Sequence, residues 1–285
     1  MSFDHLRNIY KAELSQEQFD RLGSFINKNT GIKMPSTKRV MVQARLKKRL
    51  RALDMVSFEE YLKYVFGKEG FQTEIVHIFD AVSTNKTDFY REPAHFDFLK
   101  KHVLPQFEKE SNGKLFKIWS AACSSGEEAY TMAITIQEYL GASKKFDYIV
   151  SGSDISTRIL QMAVDGIFPY NKVVPAVPDT VMRRYFMRSR DPKNRTLRVI
   201  PELRQKTSFF RLNFMDDDYK LKDKFDAVFC RNVLIYFDRD IQEAVIRKLC
   251  RHIKSGGYLF HGHSESLYGM DLPLKLIKPT IYKRV

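Results

Sequence analysis

Polar side chains able to do chemistry cluster in this 285-residue chain directly after short apolar runs. Cys230-Arg231-Asn232 follows Ala227-Val228-Phe229, and Glu127 and Glu128 follow Lys117-Ile118-Trp119-Ser120 and a small-residue loop, Ala121 to Gly126. Ser153-Asp154 follows Tyr148-Ile149-Val150, and His261-Gly262-His263-Ser264-Glu265 follows Tyr258-Leu259-Phe260. Polar groups at the carboxyl ends of buried strands are where α/β folds bind ligands. Asp154, 28 residues beyond Gly126, stands where such folds place an acid on the ribose hydroxyls of a nucleotide. The loop before Glu127 has a single glycine and no G-x-G-x-x-G, so it is a poor pyrophosphate cradle. Glu127 and Glu128 occupy the first helical turn, the position a bound phosphate would take, and they suit a cationic ligand or simply the helix dipole. His261 and His263 invite comparison with a metal pair or a general base, but residues i and i+2 of a strand point to opposite faces. Structural or supporting roles are expected for both, with no metal. Cys123, Cys230 and Cys250 show no metal-ligand spacing and read as core or loop residues.

These clusters require a scaffold of alternating strands and helices. A helical pattern from Ile241 to Ile253 leads through Lys254-Ser255-Gly256-Gly257, read as a turn, into the strand at Tyr258, and helices are expected to cover both faces of a parallel sheet. Between Tyr185 and Arg211 the pattern changes to short β-rich pieces, with Thr207-Ser208-Phe209-Phe210 as the last, which suggests a small antiparallel insertion over about 183–212. Upstream of residue 80 the patterns are helical. Ser15 opens a helix to Lys28, Ser57-x-x-Glu60 forms a capping box for a helix to Phe66, and another helix is expected over Thr73 to Ala81. The division expected is a helical domain over 1–82 and an α/β domain over 83–285.

Composition bounds the partners. The chain is 44% hydrophobic and 13% aromatic, enough for a large core, and carries a net charge of +14. It has no apolar run near the roughly 20 residues of a membrane span, and its first residues, MSFDHLRNIYKAELS, lack the core of a signal peptide. A cytoplasmic location without membrane insertion is expected. The charge calls for an acidic partner, which composition leaves open among nucleic acid, a membrane surface and an acidic protein. Between Thr37 and Leu53 there are seven Lys or Arg and no acid, while Val42, Leu46, Leu50 and Leu53 keep helical spacing. The basic side chains, Arg45, Lys48 and Arg49 among them, are therefore expected to project outward, as a docking surface or as a solvated face.

Several ordered stretches carry a resemblance over about Gln18 to Tyr282: VSTNKTDFYRE from Val82, WSAACSSGEEAY from Trp119, SGSDIS from Ser151, CRNVLIYFD from Cys230 and GHSES from Gly262. The chain resembles the chemotaxis-receptor methyltransferases, protein-glutamate O-methyltransferases that use S-adenosylmethionine. That resemblance implies a class I, Rossmann-like methyltransferase domain with a small antiparallel β insertion, preceded by an all-α domain. It places Asn85, Thr87, Arg91, Glu128, Asp154, Asn213, Phe214, Arg231 and Asn232 in the cofactor pocket, although Asn85 to Arg91 alone would read as an ordinary polar linker. Chemistry adds roles: Asp154 accepts from the ribose, Asn213 reads the adenine edge, and Glu128 holds the cationic amino end.

The implied substrate is a glutamate on the acidic cytoplasmic helices of methyl-accepting receptors, and the enzyme is expected to act as a monomer. Such a carboxylate is ionised at neutral pH, so alignment and removal of water replace a general base. Arg91 and Tyr236 are the residues expected near the reacting centre. A nucleic-acid methyltransferase is the rival reading, but enzymes acting on exocyclic amines carry an Asn/Asp-Pro-Pro-aromatic stretch where this chain has Arg231-Asn232-Val233-Leu234. A non-catalytic sensor of the cofactor would show a damaged pocket, and the expected polar residues are all present. Some relatives grip a receptor-terminal peptide through a glycine-containing turn in the β insertion. Ser189 to Thr196 has no glycine and includes Pro192, which argues against strand addition there.

Overall fold

The computed structural model describes residues 3–110, 113–141, 145–191 and 193–285. Its contacts divide into two compact units: Met1–Thr84 with Tyr236–Asp238, and Asn85–Ile235 with Arg239–Val285.

The first unit is built from α1 (Phe3–Lys11), α2 (Gln16–Thr30), α3 (Arg39–Ala52), α4 (Phe58–Val65) and α5 (Lys68–Val82). Ser15 starts α2 with a reciprocal cap, its hydroxyl accepting from the Gln18 N–H while the Gln18 side chain accepts from the Ser15 N–H. Gly31, at φ 73°, ends the helix in the left-handed conformation that glycine adopts without strain. Val42, Leu46 and Leu50 of α3 are fully buried, as their spacing predicts. Two of the cations on this helix do not project outward. Arg49 grips Glu74 of α5 with Nε at 3.0 Å and Nη2 at 2.6 Å, and the Tyr61 hydroxyl adds a third bond to that carboxylate. Arg45 donates to the carbonyls of Ala81 and Ser83 at the end of α5. Expecting both as docking residues thus needs correction. The packing of α5 on α3 supplies partners 25 to 38 residues away, which spacing within one helix cannot reveal. Lys48 is exposed. Tyr236–Asp238 joins this unit through the Lys33 N–H to the Tyr236 carbonyl, 2.9 Å, and Lys33 to Asp238, 2.9 Å.

In the second unit the described residues form a seven-stranded sheet and a three-stranded one. The strands are β1 (Phe116–Ala121), β2 (Tyr148–Asp154), β3 (Ile167–Pro169), β4 (Phe186–Arg188), β5 (Thr196–Val199), β6 (Thr207–Arg211), β7 (Phe225–Cys230), β8 (Ile253–His261), β9 (Leu274–Lys278) and β10 (Ile281–Arg284). The large sheet runs β6-β2-β1-β7-β8-β10-β9, parallel from β6 to β8 and antiparallel through β10 and β9. Its register aligns Ala121 with Ser153 and with Cys230, and Cys230 with His261, so the polar clusters leave the sheet along one edge. Gly256 and Gly257 do not turn the chain as expected. They lie inside β8, where the pairing with β7 slips, and Gly256 takes φ 76°. This is a bulge, for which a Gly-Gly pair is as suitable as for a turn.

The small sheet, β3-β5-β4, is antiparallel. It recruits Ile167–Pro169, three residues ending in proline that gave no strand signal. It also excludes Thr207–Arg211, which pairs in parallel with β2 and closes the edge of the large sheet. Both facts correct the expected 183–212 boundary, because a short apolar run does not reveal which sheet it joins. Between β4 and β5 the Ser189 N–H reaches the Thr196 carbonyl and the Asp191 side chain accepts from the Lys193 N–H. Pro192 lies outside the described residues.

Candidate functional site

β1 continues through its helix to β2 and β6 on one side of the sheet, while β7 opens the other side, so the topology switches direction between β1 and β7. Crevices at such switch points, outside the carboxyl ends of the strands, bind ligands in open α/β sheets. The loop leaving β1 is tight, with Ala122 at φ 67° and Ser124 at φ 50°. Gly126, at φ 95°, opens the helix Glu127–Leu140, and a Cβ there would stand 2.9 Å from that of Ala163. The glycine thus serves packing against the neighbouring helix.

The two acids that follow part company. Glu127 is fully buried and turned inward, paired with the Lys172 ammonium at 2.5 Å and with the Ser125 hydroxyl at 2.7 Å. Glu128 accepts from the Ser120 hydroxyl at 2.7 Å and from Arg231 at 2.9 Å. Arg231, its side chain only 1% exposed, also contacts Glu92 at 3.0 Å and donates to the Arg91 carbonyl at 2.6 Å. Burial raises the Glu128 pKa against the opposing pull of Arg231 and Ser120. At Glu92 burial pushes the same way, but the charge of Arg231 and hydrogen bonds from Asn232 and Arg231 outweigh it and hold the carboxyl below its ordinary value.

Asp154 ends β2, with its carboxylate accepting the N–H groups of Ser124 at 3.0 Å and Ser156 at 3.0 Å. These bonds tie the loop after β1 to the end of β2. Leu212 donates to the Asp154 carbonyl, which brings Asn213 and Phe214 to the same edge. Asn213 caps its own turn through the Met215 N–H, and the Phe214 carbonyl accepts from Lys248. The Asn85 carbonyl accepts from the Ser124 hydroxyl at 3.2 Å, which draws the segment Asn85 to Arg91 onto the β1 loop, with Thr87 half-buried within it. The Arg91 guanidinium reaches the Lys86 carbonyl at 3.2 Å. Contacts thus link Asn85, Arg91, Glu128, Asp154, Arg231 and Asn232 around the strand ends, while Tyr236 belongs to the helical unit, where the Lys38 ammonium lies 5.5 Å from its ring centroid.

Two acids absent from the expected site hold it in shape. Glu265, buried beyond β8, accepts N–H groups from Val233 at 2.9 Å, Leu234 at 2.8 Å and Gly262 at 2.6 Å. It fixes the loop after β7, in which Asn232 takes φ 58°. Burial raises its pKa against those N–H groups. Glu92 accepts from the Asn232 amide at 3.1 Å and so joins that loop to the Arg91 segment. Both acids sit in motifs that carried the resemblance, Tyr90-Arg91-Glu92 and Gly262-His263-Ser264-Glu265, but nothing in their spacing announces the partner. His261 is buried and ends β8, whereas His263 lies past the strand and is half exposed.

The chemistry of the donor set fits one cofactor. Glu92 and Glu128 pair with the guanidinium of Arg231, Asp154 ends the neighbouring strand β2, and the β1 loop is not a glycine-rich phosphate cradle. Two carboxylates, Asp154 and Glu128, both stand at the switch point, groups of the kind that accept from a ribose diol or hold an ammonium group. Fold and donor set together define a Rossmann-like S-adenosylmethionine-dependent methyltransferase. Its family follows from comparison: residues 17–83 match the all-alpha domain of the CheR methyltransferases and residues 85–283 match their SAM-binding domain, so the chain belongs to the CheR methyltransferase family. It is 34% identical over 281 residues to the chemotaxis protein methyltransferase of Borreliella burgdorferi, covering 97% of this chain and 95% of that one. The chemotaxis protein methyltransferase of Salmonella typhimurium is 35% identical over 277 residues, covering 97% and 93%. That of Klebsiella aerogenes is 36% identical over 272 residues, covering 95% and 91%.

Proposed function

We propose that this methyltransferase esterifies glutamate side chains of chemotaxis receptors in the cytoplasm, and that its working division is a helical domain over 1–82 and a methyltransferase domain over 83–285. When bound, S-adenosylmethionine supplies a methyl group made electrophilic by its sulfonium. Asp154 takes the ribose hydroxyls and Glu128 the amino end, with Asn85, Thr87, Asn213, Phe214, Arg231 and Asn232 completing the pocket. Arg91 orients the receptor carboxylate, and Tyr236 directs its hydroxyl at the methyl or the carboxylate. The receptor carboxylate, held by Arg91, would be the acceptor for that methyl group, and the sulfonium sulfur would leave as the neutral thioether. The nucleophile is already ionised at neutral pH, so no proton needs to move. Rate then depends on alignment and on the exclusion of water.

The observation that carries this reading is the buried Arg231 linking Glu92 and Glu128 beside Asp154 at the switch point. No helix among the described residues is long and apolar enough to cross a membrane, in keeping with action on the cytoplasmic part of a membrane-bound receptor. The test is incubation of the purified chain with methyl-labelled cofactor and receptor-bearing membranes. Label entering receptor-sized protein and released by mild base supports a glutamate ester. Base-stable label, or label in nucleic acid, overturns the reading.

A further inference from the structure

Glu92, His95 and His263 each bring one donor atom to a common point, all within 4.8 Å of one another. His95 Nδ1 stands 3.6 Å and His263 Nε2 3.8 Å from Glu92 Oε2. The His261 and His263 pair, set aside because residues i and i+2 of a strand diverge, is not what forms here; the helix after Pro93 supplies the second imidazole instead.

Hydrogen bonds around the point decide which atoms carry protons. The Thr280 hydroxyl donates to the Pro279 carbonyl at 2.6 Å, so its oxygen is left to accept from His95 Nε2–H at 2.7 Å. That tautomer leaves a lone pair on His95 Nδ1, which faces the carboxylate oxygen with no proton between them. His95 is 1% exposed and its Nδ1 is buried without a hydrogen-bond partner, while the buried Glu92 Oε2 facing it has Arg231 Nη2 at 3.0 Å on another side. Two buried lone pairs converging in this way repel unless a cation lies between them. Around a tetrahedral ion with bonds of about 2.1 Å, donor atoms stand about 3.4 Å apart. The two separations to Glu92 Oε2 lie just above that figure, and the exposed His263 ring is free to turn and close the third, which lies within 4.8 Å.

We propose that Glu92, His95 and His263 form a binding site for a divalent transition ion of the zinc type. The outer partners that such sites need are in place: Thr280 on His95, and the Asn232 amide and the His263 N–H on Glu92 Oε1 at 3.1 and 3.4 Å. Arg231, 3.0 Å from Glu92 Oε2, already offsets the carboxylate charge. This weakens any cation and disfavours hard ions most, leaving selectivity to the two imidazoles. A bound ion would tie the segment carrying Arg91 to the end of β8.

The test uses the full chain without an affinity tag, stripped with chelator and titrated with zinc. One equivalent bound per chain, a rise in Tm with zinc, and visible d–d absorption when cobalt replaces it are expected. His263→Ala, a half-exposed position where folding is secure, should lose the cobalt spectrum. It should also weaken zinc by at least the roughly 100-fold that loss of an outer partner alone costs at such sites. Thr280→Val should weaken zinc roughly 10- to 100-fold. Zinc binding unchanged in His263→Ala, no binding by the stripped parent, or displacement by millimolar magnesium would each overturn the site.

Discussion

Arg49 and Arg231 make the same kind of contact with opposite consequences. In the helical unit Arg49 grips Glu74 with two parallel bonds, and Tyr61 occupies the remaining approach to that carboxylate. The pair is closed and points nowhere. In the methyltransferase unit Arg231 is divided among Glu128, Glu92 and the Arg91 carbonyl, and Glu128 leans on Ser120 as well. That network sits at the carboxyl ends of β1 and β7, the place where open α/β sheets bind ligands. A buried ion pair is thus evidence of function only through its place in the topology. Both arginines lie in basic or polar stretches that drew attention as candidates, and only one lies at a strand end.

The sharpest way to break this comparison is to remove each arginine. Arg231→Met strands Glu128 and Glu92 without a counter-charge and should cost about 3–5 kcal/mol of stability, read as a lower urea midpoint, along with loss of cofactor binding by calorimetry. Arg49→Met strands Glu74 alone. Its side chain is 23% exposed, so the loss should fall to about 2–3 kcal/mol, with cofactor affinity unchanged. Second substitutions separate the two further. Glu74→Leu in the Arg49→Met chain should restore the midpoint, since a closed pair can be exchanged for apolar packing. Glu128→Leu in the Arg231→Met chain should restore only part of the stability, since Glu92 still lacks its counter-charge, and should not restore cofactor binding. Recovery of binding there would demote the Arg231 network to scaffolding.

Next in size are effects confined to the site. Asp154→Ala should weaken cofactor binding by about 1–3 kcal/mol, the loss of a buried hydrogen-bonded acceptor; an unchanged calorimetric Kd would remove Asp154 from the ribose. Arg91→Ala and Tyr236→Phe should lower kcat more than they change cofactor affinity, because both are assigned to the reacting geometry. Equal losses in rate and affinity would move them to the pocket wall.

Legibility in the sequence followed the range of the interaction. Ser15 and Ser57 announce their helices because a cap acts over three residues. The ends of β1, β2 and β7 were visible as apolar runs breaking into polar loops, and with them Glu128, Asp154 and Arg231. Glu265 was not, because its partners Val233 and Leu234 lie 31 and 32 residues away and are backbone N–H groups, which no side-chain pattern marks. Lys172 was missed for a related reason: it reaches Glu127 across 45 residues from a short helix in the β insertion. Ile167–Pro169 was too short to read as a strand. The resemblance supplied Asn85, Thr87 and Arg91, whose segment is a polar linker in every local respect and is drawn to the strand ends only through the Ser124 hydroxyl and Arg231.

The smallest expected effect concerns α3. Arg49 is committed to Glu74 and Arg45 to the end of α5, so the docking surface expected from seven cations contracts to Lys48, the one of the seven that is exposed. Surface charge pairs contribute about 0.2–1 kcal/mol each, and Lys48→Glu should therefore raise the apparent KM for receptor by no more than about fivefold, with kcat and cofactor affinity held. Added salt should raise the parent's KM in the same direction, since exposed charges more than about 10 Å apart are screened near 0.1 M. The charge-reversed chain should respond less to salt, having lost one attractive contact. Arg49→Glu is the contrasting variant: it places two carboxylates together beside Tyr61 and should lower the urea midpoint of the helical unit. If Lys48→Glu left the KM and its salt dependence untouched while Arg45→Glu raised KM without loss of stability, the outward-facing role would return to Arg45, and its contacts to Ala81 and Ser83 would be ones that receptor binding exchanges.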